Sequence, residues 1–293
     1  RQDTPKGLLS MLAGPGAEIG QRLVEHRGVS AISFTGSVPV GRGIAATAIT
    51  NMTKVQMEMG SKNPMIVMDD ADLDLAVTHC CSAAFGGTGQ KCTAASRLIV
   101  HRTVHDAFVE KLAVAAQALK VGHALDADTQ IGPAVSETQL NGNLDYVAIG
   151  TNEGAELICG GTRVTARTEG HYMAPTLFAG STNDMRINRE EMFGPISCVI
   201  KVGSYDEALA TANDSDFGLT AGIMTQSLAR ANHFRANATA GTLMVNLPTA
   251  GTDYHVPFGG RGASSFGPRE QGQYAVEFYT SVKTTYLSGG EPA

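Results

Sequence analysis

Cys92 is the residue whose surroundings best suit nucleophilic chemistry. It lies in the glycine-rich stretch GGTGQKCTAAS at 86–96, between an apolar helical run and a strand-like run. The thiolate is the reactive form of cysteine, and a turn that offers backbone N–H groups beside Lys91 would favour that form. Cys80, Cys81, Cys159 and Cys198 instead lie in apolar runs, which predicts that they are buried and inert.

Glu58 is the candidate general base. It ends an apolar, strand-like run in the sequence MEMGSKNP at 57–64, just before a glycine turn. Partial desolvation there would raise its pKa and allow it to take a proton from water. No histidine is placed to form a Cys-His pair, because His79, His101 and His105 fall in predicted regular elements. A solvated glutamate at a strand end is the alternative interpretation.

Gly36 and Ser37 form a candidate anion site. The apolar run that ends in FTGS at 34–37 leads into a predicted helix with Pro39 in its first turn. The unpaired N–H groups of a helix start at a strand's carboxyl end suit a phosphate or pyrophosphate. A plain turn is the alternative.

Composition excludes several classes of function. The formal charge of −6 and the absence of a basic stripe argue against a nucleic-acid partner. No apolar run reaches the roughly 20 residues of a membrane span, so no membrane association is expected. Five scattered cysteines without a CxxC pair indicate neither disulfides nor a metal site, which favours a reducing, cytoplasmic location.

Hydrophobic periodicity predicts an α/β protein. Helices are expected at 17–26, 38–50, 73–85, 104–119, 206–213 and 228–238, with short apolar strands between them. Such alternation favours a parallel sheet. The glycine-rich segment 251–272 is predicted to be an ordered loop, and 276–287 alternates β-branched and aromatic residues like a strand.

Several motifs in order resemble the aldehyde dehydrogenase superfamily. They are FTGS at 34–37, EMGSKNP at 58–64, GQKC at 89–92 followed by Arg97, EEMFGP at 190–195, GTLMVN at 241–246 and PFGG at 257–260. The resemblance implies an NAD(P)⁺-dependent oxidation of a small aldehyde to an acid, with NAD or NADP as cofactor and no metal. It assigns each candidate a role: Cys92 as nucleophile, Glu58 as base, Glu191 on the nicotinamide ribose, Phe193 beside the nicotinamide, Gly36 and Ser37 at the pyrophosphate, and Phe258 in the substrate tunnel.

The resemblance also divides the chain. Residues 1–60 would be the C-terminal part of a Rossmann-type cofactor domain, 61–255 an α/β catalytic domain, and 256–275 a return to the cofactor domain. Residues 276–293 would hold an oligomerisation strand of a homodimer or homotetramer and the tail. The family's long N-terminal portion does not precede Arg1, so we expect an incomplete cofactor domain and little activity from this chain alone.

Finer expectations concern one departure and the substrate. The family's second motif glycine is replaced by Ser61. The stretch 244–286 most resembles bacterial 2-oxoglutarate semialdehyde (2,5-dioxovalerate) dehydrogenases, which implies a semialdehyde substrate. Two other classes of function remain open: a cofactor-independent cysteine esterase or acyl-transfer enzyme, and an inactive fragment or scaffold.

Overall fold

The structure is a computed structural model that describes residues 5–290, and it is built from alternating helices and strands. The helices are α1 Gln21–Glu25, α2 Val38–Thr50, α3 Leu73–Phe85, α4 His105–Ala118, α5 Glu137–Asn152, α6 Arg186–Arg189, α7 Tyr205–Asn213, α8 Leu228–Asn237 and α9 Gly272–Tyr279. The strands are β1 Ala31–Thr35, β2 Lys54–Glu58, β3 Asn63–Val67, β4 Ala95–His101, β5 Glu156–Cys159, β6 Thr176–Ser181, β7 Ile196–Val202, β8 Phe217–Gly218, β9 Thr220–Met224, β10 Thr242–Val245, β11 Arg261–Gly262 and β12 Ser265–Phe266. A π-helical turn at Gly16–Gly20 precedes α1, and a 3-10 turn at Gly86–Gly89 follows α3.

A seven-stranded sheet forms the centre of the molecule. Its strand order is β10-β9-β3-β4-β7-β6-β5, and every neighbouring pair is parallel except β5 with β6. The central strands are almost continuously apolar because both faces of a parallel sheet are covered. In β3, Met65 and Val67 pack towards α3 and α4, whereas Ile66 packs towards α7 and α8. The predicted α/β class is therefore correct.

A second, three-stranded sheet has the strand order β1-β2-β12, and its strand β2 ends at Glu58. Strands β1 and β2 are parallel and are joined through α2. Strand β12 runs antiparallel to β2, with Ser265 opposite Glu58. This sheet thus unites residues from both ends of the chain, although the division into domains at 60, 255 and 275 stays a prediction.

The prediction of a strand at 276–287 is wrong for its first residues, which are helical. Residues 276–279 form the last turn of α9, and 280–290 form no regular secondary structure. The ammonium of Lys54 caps this helix end by donating to the carbonyls of Phe278 (2.8 Å) and Thr280 (2.9 Å). A strand needs the hydrogen-bonding edge of a neighbour, and the residues described here offer none to 280–290. Pairing with a second subunit stays a prediction.

Candidate active site

A cleft of about 830 Å³ brings together six of the seven predicted site residues. They are Gly36, Ser37, Cys92, Glu191, Phe193 and Phe258. Glu58 does not line this cleft, but the next two residues, Met59 and Gly60, do. Residues far apart in sequence therefore meet where the small sheet, the loop after α3 and the loop before β7 converge.

The loop that carries Cys92 has an unusual backbone. Gly87, Thr88 and Gly89 all adopt left-handed conformations, with φ of 63°, 62° and 63°. Glycine is required at position 89, because a Cβ there would lie 2.1 Å from the carbonyl oxygen of Gly194. The hydroxyl of Thr88 donates to the carbonyl of Gly132 at 3.2 Å. The loop that carries Cys92 therefore packs against the EEMFGP loop at Gly194 and is hydrogen-bonded to Gly132.

Asn63 holds this loop through two hydrogen bonds to its backbone carbonyls. The sequence analysis does not single out this residue. Its Nδ2 donates to the carbonyls of Cys92 (2.7 Å) and Ala94 (2.8 Å). Its Oδ1 accepts from the hydroxyl of Ser61 (2.6 Å) and from the N–H of Thr220 (3.0 Å). Asn63 is buried, so these four bonds satisfy its side chain. Its place in the EMGSKNP motif is the signal that could have revealed it.

Cys92 is partly buried, unlike the other four cysteines, which are buried as predicted. Burial raises the pKa of the Cys92 thiol, and the nearby carboxylates of Glu58 and Glu191 raise it further. Backbone N–H groups at Cys92 and Thr93 act in the opposite direction. The expectation that positive charge from Lys91 favours the thiolate is therefore wrong, because acidic neighbours and burial dominate.

Glu58 is buried rather than solvated, with 3% of its surface exposed. Burial raises the pKa of its carboxyl group to about 7, against the hydrogen bond that the Ser265 hydroxyl donates to Oε2 at 2.8 Å. Glu270 raises this pKa as well, and Arg269 lowers it. The raised pKa agrees with the prediction. Ser265, Arg269 and Glu270 were missed because they come to Glu58 from more than 200 residues away.

Glu191 is half-buried against the turn that follows β2. Its Oε1 accepts from the N–H of Ser61 at 2.9 Å. A Cβ on Gly60 would lie 2.0 Å from Glu191 Oε2, so the missing side chain at position 60 makes room for the carboxylate. Burial raises the pKa of Glu191, whereas the Ser61 N–H and Lys62 lower it. The Ser61 hydroxyl bonds Asn63, so the departure from glycine leaves the contact with Glu191 intact.

Phe193 is positioned by helix α5, which the sequence analysis did not predict. The residue has a φ of 52°, which L-residues rarely adopt, and it is 38% exposed at the cleft. The side-chain amide of Gln139 donates to the carbonyls of Met192 (3.0 Å) and Phe193 (3.3 Å). These bonds hold the strained residue in place.

Helix α2 points its N-terminus at the cleft. Ser37 is the N-cap residue, but its hydroxyl makes no capping hydrogen bond, and the first turn contains no acidic residue. Gly36 donates its N–H to the carbonyl of Glu58 at 3.0 Å, which joins this corner to the base. The unpaired N–H groups and the positive end of the helix dipole can receive an anion.

Phe258 forms a buried wall of the same cleft and is 8% exposed. Its backbone exchanges two hydrogen bonds of 2.8 Å with Glu270, a neighbour of Glu58. Among residues 5–290, no group of three or more His, Cys, Asp or Glu side chains is arranged to hold a metal. In the same range, no helix is long and apolar enough to cross a bilayer.

Comparison with protein families identifies the relationship of this chain. The model of the aldehyde dehydrogenase family matches residues 1–285. The chain belongs to the aldehyde dehydrogenase family. The family resemblance inferred from the motifs is thereby confirmed.

Relatives within the aldehyde dehydrogenase family carry more than one name. The chain is 42% identical over 285 residues to an alpha-ketoglutaric semialdehyde dehydrogenase of Bacillus subtilis, covering 97% of this chain and 58% of the relative. It is also 42% identical over 287 residues to a betaine aldehyde dehydrogenase of Rhizobium johnstonii, covering 98% and 58%. The chain thus spans somewhat more than half the length of these relatives.

Solved aldehyde dehydrogenases share the fold. The crystal structure of betaine aldehyde dehydrogenase from Staphylococcus aureus in complex with NAD⁺ has a TM-score of 0.87 and 33% identity. The match covers 91% of this chain and 53% of that one. The arrangement of helices and strands described above is therefore the aldehyde dehydrogenase fold over this part of the chain.

Proposed function

We propose that the full-length protein is an NAD(P)⁺-dependent aldehyde dehydrogenase that oxidises a small, acidic semialdehyde to a carboxylic acid. 2-Oxoglutarate semialdehyde or a related compound is the proposed substrate. The observation that carries the proposal is the convergence of Cys92, Glu191 and Phe258 on one cleft, with Glu58 buried directly behind it. The name of the Bacillus subtilis relative supports the substrate class.

The residues present fit a nicotinamide dinucleotide. The N-terminus of α2 at Gly36 and Ser37 offers unpaired N–H groups to the pyrophosphate. Glu191, which occupies the space left by Gly60, would hold the nicotinamide ribose, and Phe193 would lie beside the nicotinamide. When bound, NAD(P)⁺ accepts the hydride that leaves the substrate carbon.

Cys92 performs the first covalent step in this proposal. Its thiolate attacks the aldehyde carbon, so a C–S bond forms and the carbonyl π electrons move to oxygen, giving the oxyanion of a thiohemiacetal. The backbone N–H of Cys92 would donate to that oxygen. Loss of hydride from the carbon restores the carbonyl and leaves a thioester on Cys92.

Glu58 performs the second step. Its carboxylate takes a proton from water as the water oxygen attacks the thioester carbon, and the C–S bond then breaks to release the acid and the Cys92 thiolate. A pKa of about 7 lets the group accept a proton and return it to solvent near neutral pH. Its hydrogen bond with Ser265 and its electrostatic effect on the Cys92 thiol, without a direct hydrogen bond between the two, suit a base that acts through water.

The full-length protein is further proposed to be a cytoplasmic homodimer or homotetramer. Residues 280–290 pair with no strand of the described chain and could pair with a second subunit. All five cysteines are free, which suits a reducing compartment. Light scattering at micromolar concentration tests the assembly, and a monomer would contradict it.

The test of the activity is the formation of NAD(P)H by the full-length protein with a panel of aldehydes. We expect absorbance of the reduced cofactor with acidic semialdehydes and none with the Cys92→Ala variant. Full activity of that variant, or no signal with any aldehyde, would refute the proposal. Cofactor-independent thioester hydrolysis without NAD(P)⁺ binding in calorimetry would assign the cleft to a cysteine hydrolase instead.

A further inference from the structure

We propose that the Lys91 ammonium binds the carboxylate of the aldehyde substrate and selects acidic aldehydes over neutral and cationic ones. This inference rests on the proposed function, because it concerns the aldehyde that Cys92 attacks. It deepens that function by assigning a residue to recognition of the end of the substrate that does not react.

The charges that line the cleft support this role. Among the lining side chains of the described residues, Lys91 is the one lysine or arginine and Glu191 is the one carboxylate. Glu191 is turned onto the Ser61 N–H at 2.9 Å and the site of Gly60. The ammonium of Lys91 is therefore the positive side chain to which an anionic substrate could bind beside the nucleophile.

The Lys91 ammonium is free to bind a ligand. Within residues 5–290 its Nζ takes part in no hydrogen bond or ion pair, and the residue is exposed at the cleft. Its stem runs past Gly87, where a Cβ would lie 2.8 Å from Cε of Lys91. Glycine at position 87 thus leaves a path for the long side chain.

The side chain of Gln90 holds the backbone next to Lys91 in place, which limits the conformational entropy that is lost when a ligand binds. The preceding residue, Gln90, donates from Nε2 to the carbonyl of Pro133 at 3.2 Å and accepts at Oε1 from the N–H of Val135 at 2.8 Å. Consecutive Cα atoms are about 3.8 Å apart, so the flexible arm of Lys91 starts one residue from the nucleophile. An aldehyde of four or five carbons can place its carbonyl at Cys92 and its carboxylate near Lys91.

The charge of Lys91 has no other evident use in the site. The thiol of Cys92 is influenced by burial, by Glu58, by Glu191 and by backbone N–H groups, rather than by its lysine neighbour. A quaternary ammonium aldehyde, as in the name of the Rhizobium johnstonii relative, would meet a like charge at Lys91. Betaine aldehyde is therefore expected to be a poor substrate of this protein.

The kinetic test compares succinic semialdehyde with butanal, a neutral aldehyde of the same carbon number, on the full-length protein. We compare kcat/KM for the acidic aldehyde with kcat/KM for the neutral one. In Lys91→Met, we expect this ratio to fall about ten- to hundredfold, which is the usual effect of losing a charge-assisted hydrogen bond. Lys91→Arg should keep most of the ratio. Lys111→Met, which removes an exposed lysine on α4, is the matched control and should keep it entirely.

A second test does not depend on dehydrogenase activity. Iodoacetate and iodoacetamide both alkylate Cys92, but iodoacetate alone carries a carboxylate. Both reagents react with the same Cys92 thiolate, so at one pH the thiolate fraction cancels from the ratio of the two alkylation rates. The ratio therefore measures how strongly the site attracts the iodoacetate anion. We expect Lys91→Met to lower this ratio while iodoacetamide still alkylates Cys92. The four other cysteines should stay unmodified, which shows that the variant is folded, because they are buried only in the folded protein.

The two tests separate failure of this inference from failure of the proposed function. Oxidation of aldehydes with both ratios unchanged in Lys91→Met would overturn the role of Lys91 and leave the dehydrogenase assignment standing. No oxidation of any aldehyde, combined with a lowered alkylation ratio, would overturn the proposed function and retain Lys91 as an anion-binding residue. Faster oxidation of betaine aldehyde than of succinic semialdehyde would overturn the selectivity.

Discussion

The side-chain amide of Asn63 donates a hydrogen bond to the backbone carbonyl of Cys92 across 2.7 Å. Asn63 begins β3, five residues after the candidate base, so a single strand-turn-strand unit carries the base and holds the nucleophile loop. The hydroxyl of Ser61 extends the link, because Ser61 donates to Asn63 through Oγ and to Glu191 through its N–H. One hydrogen-bonded path therefore joins the nucleophile, the base turn and the candidate ribose-binding carboxylate.

Replacing Asn63 should disturb the nucleophile and the fold together. In Asn63→Ala, the carbonyls of Cys92 and Ala94 lose their donor, which is expected to lower the free energy of unfolding by about 1–3 kcal/mol. The loop that presents the thiol should also loosen, so the rate of Cys92 alkylation by iodoacetamide should change. Denaturant unfolding and alkylation kinetics measure the two effects. Asn141→Ala, at an exposed asparagine, should alter neither, and an unchanged Asn63→Ala protein would show that the bonds do not hold the loop.

Deacylation should depend on the protonation of Glu58. Its pKa of about 7 means that the group is a protonated acid at lower pH and a carboxylate base at higher pH. Thioester hydrolysis is therefore expected to rise as pH increases through about 7 and then to level off. Glu58→Gln should lose this rise and accumulate acyl-enzyme, which intact-mass measurement detects as an adduct on Cys92.

Ser265 should set the position of that pH profile. Its hydrogen bond lowers the Glu58 pKa against the effect of burial, so Ser265→Ala should raise the pKa and move the midpoint of hydrolysis to higher pH. The plateau rate at high pH should change less than the midpoint does. A midpoint that stays in place, or that moves to lower pH, would contradict the role assigned to Ser265.

A side chain at position 60 should affect the cofactor more than the thiol. The Cβ of Gly60→Ala would lie 2.0 Å from Glu191 Oε2, so the carboxylate must leave its present place. We expect weaker NAD(P)⁺ binding in calorimetry and a similar rate of Cys92 alkylation. Gly43→Ala on α2 is the control, because nothing lies within 4 Å of the added Cβ there. Equal affinity in Gly60→Ala would show that Glu191 does not depend on this space.

Local sequence patterns predicted the elements whose signals are local. The helices at Val38–Thr50 and Leu73–Phe85 have the predicted bounds, because each is marked by a capping residue and a glycine or polar stop. Helix α5 was missed, since its face towards the cleft is polar and includes Gly142, which weakens the hydrophobic period. The segment 276–287 was assigned to a strand from β-branched and aromatic residues, but packing of Phe278 and capping by Lys54 stabilise a helix as far as Tyr279.

The candidate site was predicted in its motifs but not in its support. Cys92, Glu58 and Glu191 lie in recognisable motifs, so the family resemblance assigns them roles from the sequence alone. Ser265 reaches Glu58 only through the antiparallel pairing of β12 with β2, which no short-range pattern reveals. The direction of the Cys92 pKa was missed for the same reason, since two carboxylates converge on the thiol from distant segments.

Lys62 should make stability depend on alkaline pH. Its side chain is almost fully buried, its Nζ has no hydrogen-bond partner among the described residues, and burial lowers its pKa from 10.5 to about 8. Between these two values the unfolded chain holds a proton that the folded protein has released, so the free energy of unfolding rises with pH in that window. This difference in pKa corresponds to a total gain of about 3 kcal/mol in the free energy of unfolding across that pH window.

Exchanging Lys62 for a neutral side chain of similar length isolates this contribution. Lys62→Met removes the buried charge, so its unfolding free energy at pH 7 should equal or exceed that of the parent protein. The rise between about pH 8 and 10.5 should be smaller in this variant, whereas Lys111→Met, an exposed lysine paired with Asp74, should keep it. Urea unfolding at a series of pH values measures all three proteins. If Lys62→Met retained the same slope as the parent, the alkaline gain would have to come from another group.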